Sequence, residues 1–296
     1  MTKEEKVKVF EDTVKIVKQG YYDFHNEKSG EIEKIMIDNA LDKDYGFESY
    51  PYSTECKCKF LENIPRNIVN DVRVVNMDCL ECAASYISGK RPLVLNMASY
   101  HTPGGGVLKG SSAQEEELFR RTNLFTALYP YHKKYADMFD IKCRENMYPL
   151  DAFSDFGCIY TQSVTVFKGK ESEGYKLLGY DQFKIDVITI PAIRLPSIKP
   201  DGTLSERDRQ ITKNKIEQIF NVGANHENDI LILSAFGCGA YGNPPSEIAT
   251  LFKEVIESEK YYGVFDTIVF AILDDKNAFK EHNKEGNFKV FNDILG

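Results

Sequence analysis

Apolar and polar positions follow two periods along this chain. Between residues 4 and 18, Val7, Phe10, Val14 and Val17 recur at helical spacing with Lys and Glu between them, and Gly20 follows where a helix stop belongs. This predicts an amphipathic N-terminal helix. From Glu31 to about Asn63 the pattern is short and mixed, broken by Gly46 and Pro51, and reads as irregular strands and loops. Val72 to Val75 is a β-branched run that predicts a strand, with a helix at about 79–87. Pro92-Leu-Val-Leu-Asn-Met-Ala98 is apolar without alternation, the pattern of a strand buried on both faces. A helix is predicted from Ser112 to Tyr129, ended by Pro130, and residues 130–157 form a long excursion. Further strands are predicted at 164–167, 184–193, 229–235 and 267–273, and helices at 206–220, 245–256 and from 288 onward. This alternation predicts an α/β layered fold with a mixed sheet. Residues 1–70 read as an N-terminal accessory segment and 71–296 as the main domain.

Charge narrows the partners. The 296 residues carry 37 Lys+Arg against 45 Asp+Glu, a formal net charge of -8. A surface that coats nucleic acid needs clustered cations to displace counterions, so general nucleic-acid binding is not expected. An anionic ligand would instead be held by local devices such as backbone N–H groups at helix starts. No apolar run resembles a secretory signal or a membrane span, and the seven cysteines are an odd, scattered set. The expectation is a cytoplasmic protein with reduced thiols and no membrane association. Cys56, Cys58, Cys79 and Cys82 could be drawn as a zinc site. Cys79 and Cys82 lie on one face of a predicted helix, which favours buried thiols over a metal.

Two strand, glycine-loop, helix units carry the candidate chemistry. In the first, the 92–98 strand leads to Gly104-Gly105-Gly106 and then to the helix that begins with Gln114-Glu115-Glu116-Glu117. Consecutive glycines let a ligand approach the main chain, and the helix start adds unpaired donors, so an anion is the expected occupant. Lys109 precedes Gly110 rather than following it, which is not the spacing of a triphosphate-binding P-loop. Ser112 and Glu115 have capping-box spacing, and Glu116/Arg120 and Glu117/Arg121 can pair four residues apart. Helix physics alone could therefore explain these carboxylates. Their place at the end of a glycine loop equally suits a general acid. In the second unit, Gly237, Gly239 and Gly242 spell a dinucleotide fingerprint between strand and helix. The acids it would need, Asp274 and Asp275, come more than 30 residues later, and Pro244-Pro245 interrupts the helix start. A second anion-cradling loop, with a ring from Phe236 or Tyr241, is the better reading. Together the units point to a ligand with two phosphates.

Asn96, Pro103-Gly104-Gly105-Gly106 and, after seven intervening residues, Gln114-Glu115-Glu116 resemble the signature of the microbial-type poly(ADP-ribose) glycohydrolases. Phe236-Gly-Cys-Gly-Ala-Tyr-Gly-Asn-Pro-Pro245 resembles their diphosphate loop, with Tyr241 where that family usually has Phe. Gly20-Tyr21-Tyr22, Val72–Asp78, Val164–Phe167 and Asp186–Ala192 fall in the family's order, so the resemblance covers most of the chain. It implies a macrodomain-like three-layer fold, a mixed central sheet flanked by helices, with an N-terminal extension. It also implies hydrolysis of the ribose–ribose O-glycosidic bond at the end of a poly(ADP-ribose) chain. By that resemblance Glu116 is the acid/base and Glu115 holds ribose hydroxyls. Asn96 and the loop residues Gly104, Gly105, Gly106, Val107 and Gln114 would fix the terminal ribose. Gly237, Cys238, Gly239 and Ala240 would cradle the diphosphate, and Tyr241, beside Phe236, would press on the ribose. The implied substrate is poly(ADP-ribose) or ADP-ribosylated protein, the product ADP-ribose, with no cofactor and no metal. A non-catalytic ADP-ribose reader or a mono-ADP-ribosyl hydrolase are the alternatives. A reader would not need Gln114-Glu115-Glu116, which favours an enzyme.

Overall fold

A computed structural model describes residues 1–37, 47–50, 66, 71–144, 148, 150–151, 155–274 and 283–296. The chain forms two compact units, each assembled from separate stretches. The first comprises Met1–Glu48, Ala98–Tyr148 and Thr161–Ile185; the second comprises Ser49–Met97, Pro149–Tyr160 and Asp186–Gly296. Two strands, β1 (Tyr21–His25) and β2 (Ile32–Met36), pair antiparallel. Seven others are β3 (Phe47–Tyr50), β4 (Val72–Val75), β5 (Pro92–Met97), β6 (Cys158–Val166), β7 (Phe183–Ile190), β8 (Ile230–Leu233) and β9 (Thr267–Ala271). They form one sheet in the order β3-β6-β7-β5-β8-β9-β4. The α/β fold expected from the alternation is the one the chain adopts.

In the first unit, α1 (Lys3–Gln19) starts on Thr2, whose side chain accepts from the Glu5 N–H while the Glu5 carboxylate accepts from the Thr2 N–H. Gly20 ends it with φ +78, a conformation a side chain resists. The helix buries Phe10, Thr13, Val14, Ile16 and Val17. Phe10 packs edge-on against Phe125, Tyr129 and Phe139 and meets Phe119 at 6.1 Å. Lys168 pins the same helix: its ammonium, only 3% exposed, donates to Asp12, Thr13 and the Val9 carbonyl. Burial holds its pKa below the ordinary lysine value, and Asp12 opposes that shift.

The single helix expected from Ser112 to Tyr129 is broken in two. α3 spans Gln114–Arg121 and α4 spans Phe125–Leu128. Thr122 is extended, its hydroxyl donates to the Leu118 carbonyl, and it bridges Val166 antiparallel. Asn123 accepts the Thr165 N–H through its side chain. Those contacts, made with residues far along the chain, override the local helical pattern. Within the 130–157 excursion, α5 covers Lys133–Met138. The β1–β2 hairpin overlaps the stretch read as irregular, the rest of which lies mostly outside the described residues.

In the second unit β4 pairs with β9, β9 with β8, β8 with β5, and β5 with β7, all parallel. Leu93, Val94 and Leu95 are fully buried, as an apolar run without alternation requires. Leu93 and Leu95 share a core with α6 (Glu206–Asn225) and α7 (Pro245–Ile256), built on Ile216, Phe220, Leu251 and Phe252. α2 (Cys79–Ala84) contacts β5 and β8, and α8 (Asn287–Leu295) contacts β4. Cys79 and Cys82 are buried and form no disulfide among the described residues, and burial pushes the Cys82 thiol up to about 11. Cys56 and Cys58 lie outside the described residues. Among the described residues no helix is long and apolar enough to cross a membrane.

Candidate active site

The glycine loop is folded around its own carboxylates. Side chains in the first turn of a helix point back toward its N-terminus, so Glu115 and Glu116 reach from α3 into the loop that precedes it. Glu115 accepts the Ser99 N–H at 2.8 Å and the Gly104 N–H at 3.1 Å. Glu116 accepts the Gly106 N–H at 2.7 Å through Oε1 and the Ala113 N–H at 2.6 Å through Oε2. The Gly105 N–H goes to the Thr102 carbonyl. The glycine N–H groups expected to face an anion are therefore directed at Glu115, Glu116 and the loop itself. The helix cap shifts by one residue, with Ala113 at the N-cap and Glu116 closing back on it, in place of Ser112 with Glu115. Arg120 pairs with Glu117 at 2.9 Å instead of with Glu116.

Both carboxylates are nearly sealed, Glu115 at 3% exposure and Glu116 at 6%. Gly105 lies between them with φ +53: a side chain there would place Cβ 2.5 Å from Glu116 Oε1 and 3.3 Å from Glu115 Oε2. Gly104, at φ +75, has no room either, because the Phe119 ring occupies the Cβ position at 2.5 Å. These are close approaches that only glycine allows. Val107 is buried and starts the turn that leads to Gly110, while Gln114 is half-buried.

In this first unit Ser99 and Tyr129 carried no sequence signal, and Arg120 was legible only as a partner four residues from Glu116. Ser99 holds Glu115 by its main chain. Arg120, fully buried, donates to the carbonyls of Ser111 and Lys6 and receives the Thr13 hydroxyl on its own carbonyl. Tyr129 is fully buried, and its hydroxyl has no hydrogen-bond partner among the described residues. Burial first, then Tyr135 and the nearby Glu115 carboxylate, push that phenol far above its ordinary range. The spacing of these residues is unremarkable; only the fold gathers them.

In the second unit, Asn96 on β5 is fully buried. Its Nδ2 donates to Thr189 Oγ1 at 3.3 Å, and its Oδ1 has no partner among the described residues. The loop after β8 is shaped by Asn243, whose Nδ2 donates to the carbonyls of Ile193 and Gly237. Gly237, at φ +74, would drive a Cβ to 2.5 Å from Ala192 Cβ and from Asn243 Nδ2. The Cys238 N–H donates to the Ala235 carbonyl, and burial pushes its thiol far up. Among the described residues nothing accepts from the N–H of Gly239 or Ala240, and Ala240 is exposed. Phe236 is fully buried in the core, so the ring on this loop that solvent reaches is the half-buried Tyr241. Of the two acids a dinucleotide reading would use, Asp274 caps α8 by accepting the Asn287 N–H at 2.7 Å, and Asp275 lies outside the described residues.

Comparison with solved structures shows the same fold in bacterial enzymes. Poly(ADP-ribose) glycohydrolase from Thermomonospora curvata is 23% identical, with a TM-score of 0.76 over 99% of this chain and 100% of that one. The same enzyme bound to the inhibitor ADP-HPD gives 23% identity and 0.73, over 97% and 98%. Poly(ADP-ribose) glycohydrolase from Deinococcus radiodurans in complex with ADP-ribose gives 22% and 0.61, over 87% and 97%. No curated protein matches the chain. The family described as "Microbial-type PARG, catalytic domain" matches residues 10–169, a span that takes in the C-terminal part of α1, the glycine loop, Glu115 and Glu116. A match over more than half of its length, centred on a pair of carboxylates sealed in a glycine loop, shows that this chain belongs to the microbial-type poly(ADP-ribose) glycohydrolase catalytic-domain family.

Proposed function

We propose that Glu116 is the acid/base of a poly(ADP-ribose) glycohydrolase, the activity of the family to which the chain belongs. The observation that carries this reading is that both oxygens of Glu116 are fixed by backbone N–H groups, at 2.7 and 2.6 Å, in a nearly sealed loop. A carboxyl group has about four lone-pair sites, so each oxygen retains one with which to handle a proton. In its protonated form Glu116 gives that proton to the leaving 2′-oxygen as the bond to the anomeric carbon breaks, and positive charge develops at that carbon. The resulting carboxylate then takes a proton from the water that attacks the same carbon. Free ADP-ribose leaves, and Glu116 is again protonated for the next cycle. Such positioned proton transfer contributes about 10²–10⁴ in rate. Most glycosidases divide this work between two carboxylates. Here Glu115 is assigned to the ribose hydroxyls, with the orphaned Oδ1 of Asn96 as a further acceptor for a sugar hydroxyl.

The second loop is assigned to the diphosphate, through the N–H groups of Gly239 and Ala240. Tyr241 presses on the ribose. Gly237 and Cys238 shape the loop, Phe236 anchors it in the core, and Gly104, Gly105, Gly106, Val107 and Gln114 hold the sugar end. The substrates are poly(ADP-ribose) and, by extension, ADP-ribosylated protein. Cytoplasmic residence belongs to the same proposal, supported by Cys79, Cys82, Cys143, Cys158 and Cys238 forming no disulfide among the described residues. The test is product analysis with labelled poly(ADP-ribose) and with mono-ADP-ribosylated protein. Free ADP-ribose released from the polymer is the expected result. Tight ADP-ribose binding without release would make the chain a reader, and release from the mono-modified protein alone would make it a mono-ADP-ribosyl hydrolase.

A further inference from the structure

Leu195 is out of place by every local rule. It has φ +53, in the left-handed region that a bulky side chain resists. It precedes Pro196, a position that favours extended backbone. Its side chain is 68% exposed, more than any other large apolar residue described in the second unit. The surroundings hold it there. The Leu195 N–H donates to the Tyr241 carbonyl at 2.8 Å, and the carbonyl of Ile193 receives the Asn243 side chain. Leu195 Cδ2 lies 3.7 Å from where a Cβ on Gly242 would stand, so the side chain rests over the end of the second glycine loop.

If the segment served only to brace that loop, glycine or asparagine would satisfy its backbone with less strain. The core gains little from a leucine this exposed. Strain held at one residue, with an apolar group presented to solvent, is the arrangement found where a ligand completes the packing. The adjoining loop residues are those assigned above to a diphosphate, Gly239 and Ala240, and to a ribose, Tyr241. A diphosphate is recognised by N–H donors and leaves its flanking sugar and base to be recognised by apolar surface.

We propose that Leu195 is a specificity-determining residue: its side chain is the apolar wall on which the sugar or base flanking the loop-bound diphosphate of ADP-ribose packs. This rests on the assignment of the second loop to the diphosphate. Burying such a side chain against a ligand corresponds to about a tenfold change in affinity.

The test compares ADP-ribose and ADP binding by calorimetry, together with thermal midpoints, for wild type, Leu195→Gly, Leu195→Asn and Leu195→Met. Gly and Asn tolerate the left-handed backbone but lack the apolar group; Met keeps it. Leu195→Gly and Leu195→Asn are expected to bind ADP-ribose about tenfold more weakly with midpoints equal to or above wild type, while Leu195→Met binds within about twofold of wild type. A parallel loss of ADP affinity places the contact on the adenosine side; unchanged ADP affinity places it on the terminal ribose. Wild-type affinity in both Gly and Asn variants overturns the proposal, as does weakened binding accompanied by a fall of several degrees in both midpoints. No ADP-ribose binding by the wild-type protein would instead overturn the assignment of the loop.

Discussion

Replacing Arg120 by Met should disable the glycine loop without touching a carboxylate. The fully buried guanidinium donates from Nε to the Lys6 carbonyl at 3.2 Å, from Nη1 to Glu117 Oε1 at 2.9 Å, and from Nη2 to the Ser111 carbonyl. It thereby joins α1, α3 and the end of the loop. Methionine fills similar volume and supplies no donor. Each buried carbonyl left unpaired costs about 1–3 kcal/mol. Glu117 is partly exposed and keeps the Tyr175 hydroxyl at 2.8 Å, so its share lies at the low end. The sum is about 3–7 kcal/mol, a fall in thermal midpoint of about 5–11 °C for a chain of this size. Catalysis should fall as well, because Ser111 lies two residues before Ala113, whose N–H orients Glu116. A hydrogen bond to a charged group is worth about 1.5–3 kcal/mol, so loosening this one predicts a kcat lower by roughly 10- to 100-fold, with KM changed less. The assay is steady-state hydrolysis of labelled poly(ADP-ribose) below the variant's midpoint, with Arg73→Met as control. Arg73 pairs with Asp71 at the surface and should cost no more than about 1 kcal/mol. Equal effects of the two substitutions would refute the reasoning.

Gly105→Ala should abolish most hydrolysis while the protein stays folded by circular dichroism, since its Cβ would fall 2.5 Å from Glu116 Oε1 at a positive φ; retention of more than about a tenth of the activity contradicts this. Lys215 is fully buried and donates to the Asp151 carbonyl, its one acceptor among the described residues, and burial lowers its pKa to about 8 from 10.5. A lowered lysine pKa destabilises the fold below pH 8, and that penalty is relieved as pH rises toward 10.5. Lys215→Met should therefore stabilise by about 1–3 kcal/mol at pH 7 and by little at pH 10; urea titrations at the two pH values giving an equal gain would exclude the effect. Binding of poly(ADP-ribose) should depend weakly on salt, with a log–log slope below about 2 in magnitude. A net charge of -8 favours recognition of the chain's end by neutral N–H groups, and a slope beyond about 5 would indicate coating of the polymer.

The regular elements with self-contained periods were legible in the chain. Val7, Phe10, Val14 and Val17 marked α1, and the uninterrupted apolar run at 92–98 marked β5, because burial on one face or two writes itself into spacing. The end of α3 was not legible: Thr122 and Asn123 are held by Thr165 and Val166, more than forty residues away. At the site, residue types pointed to Glu115, Glu116 and the glycines, whereas the direction of the N–H groups did not follow from composition. Three glycines before a helix looked like a cradle for an external anion, and the anions they hold are the helix's own first-turn carboxylates. Tyr129 and Leu195 were invisible, and Arg120 legible only as a partner for Glu116 rather than as a brace of the loop, for a related reason. Each matters through a partner distant in sequence or through a backbone angle that no single residue type announces.

The central claim is that the carboxyl group of Glu116 moves the proton. Glu116→Gln keeps the shape and an acceptor for the Gly106 or Ala113 N–H while removing the titratable group. Single-turnover release of ADP-ribose from labelled poly(ADP-ribose), measured beside the affinity of the same variant for ADP-ribose, tests this directly. Release slowed by at least about 10²-fold, with affinity within a few-fold of wild type, is the expected result. Release at near wild-type rate would contradict it.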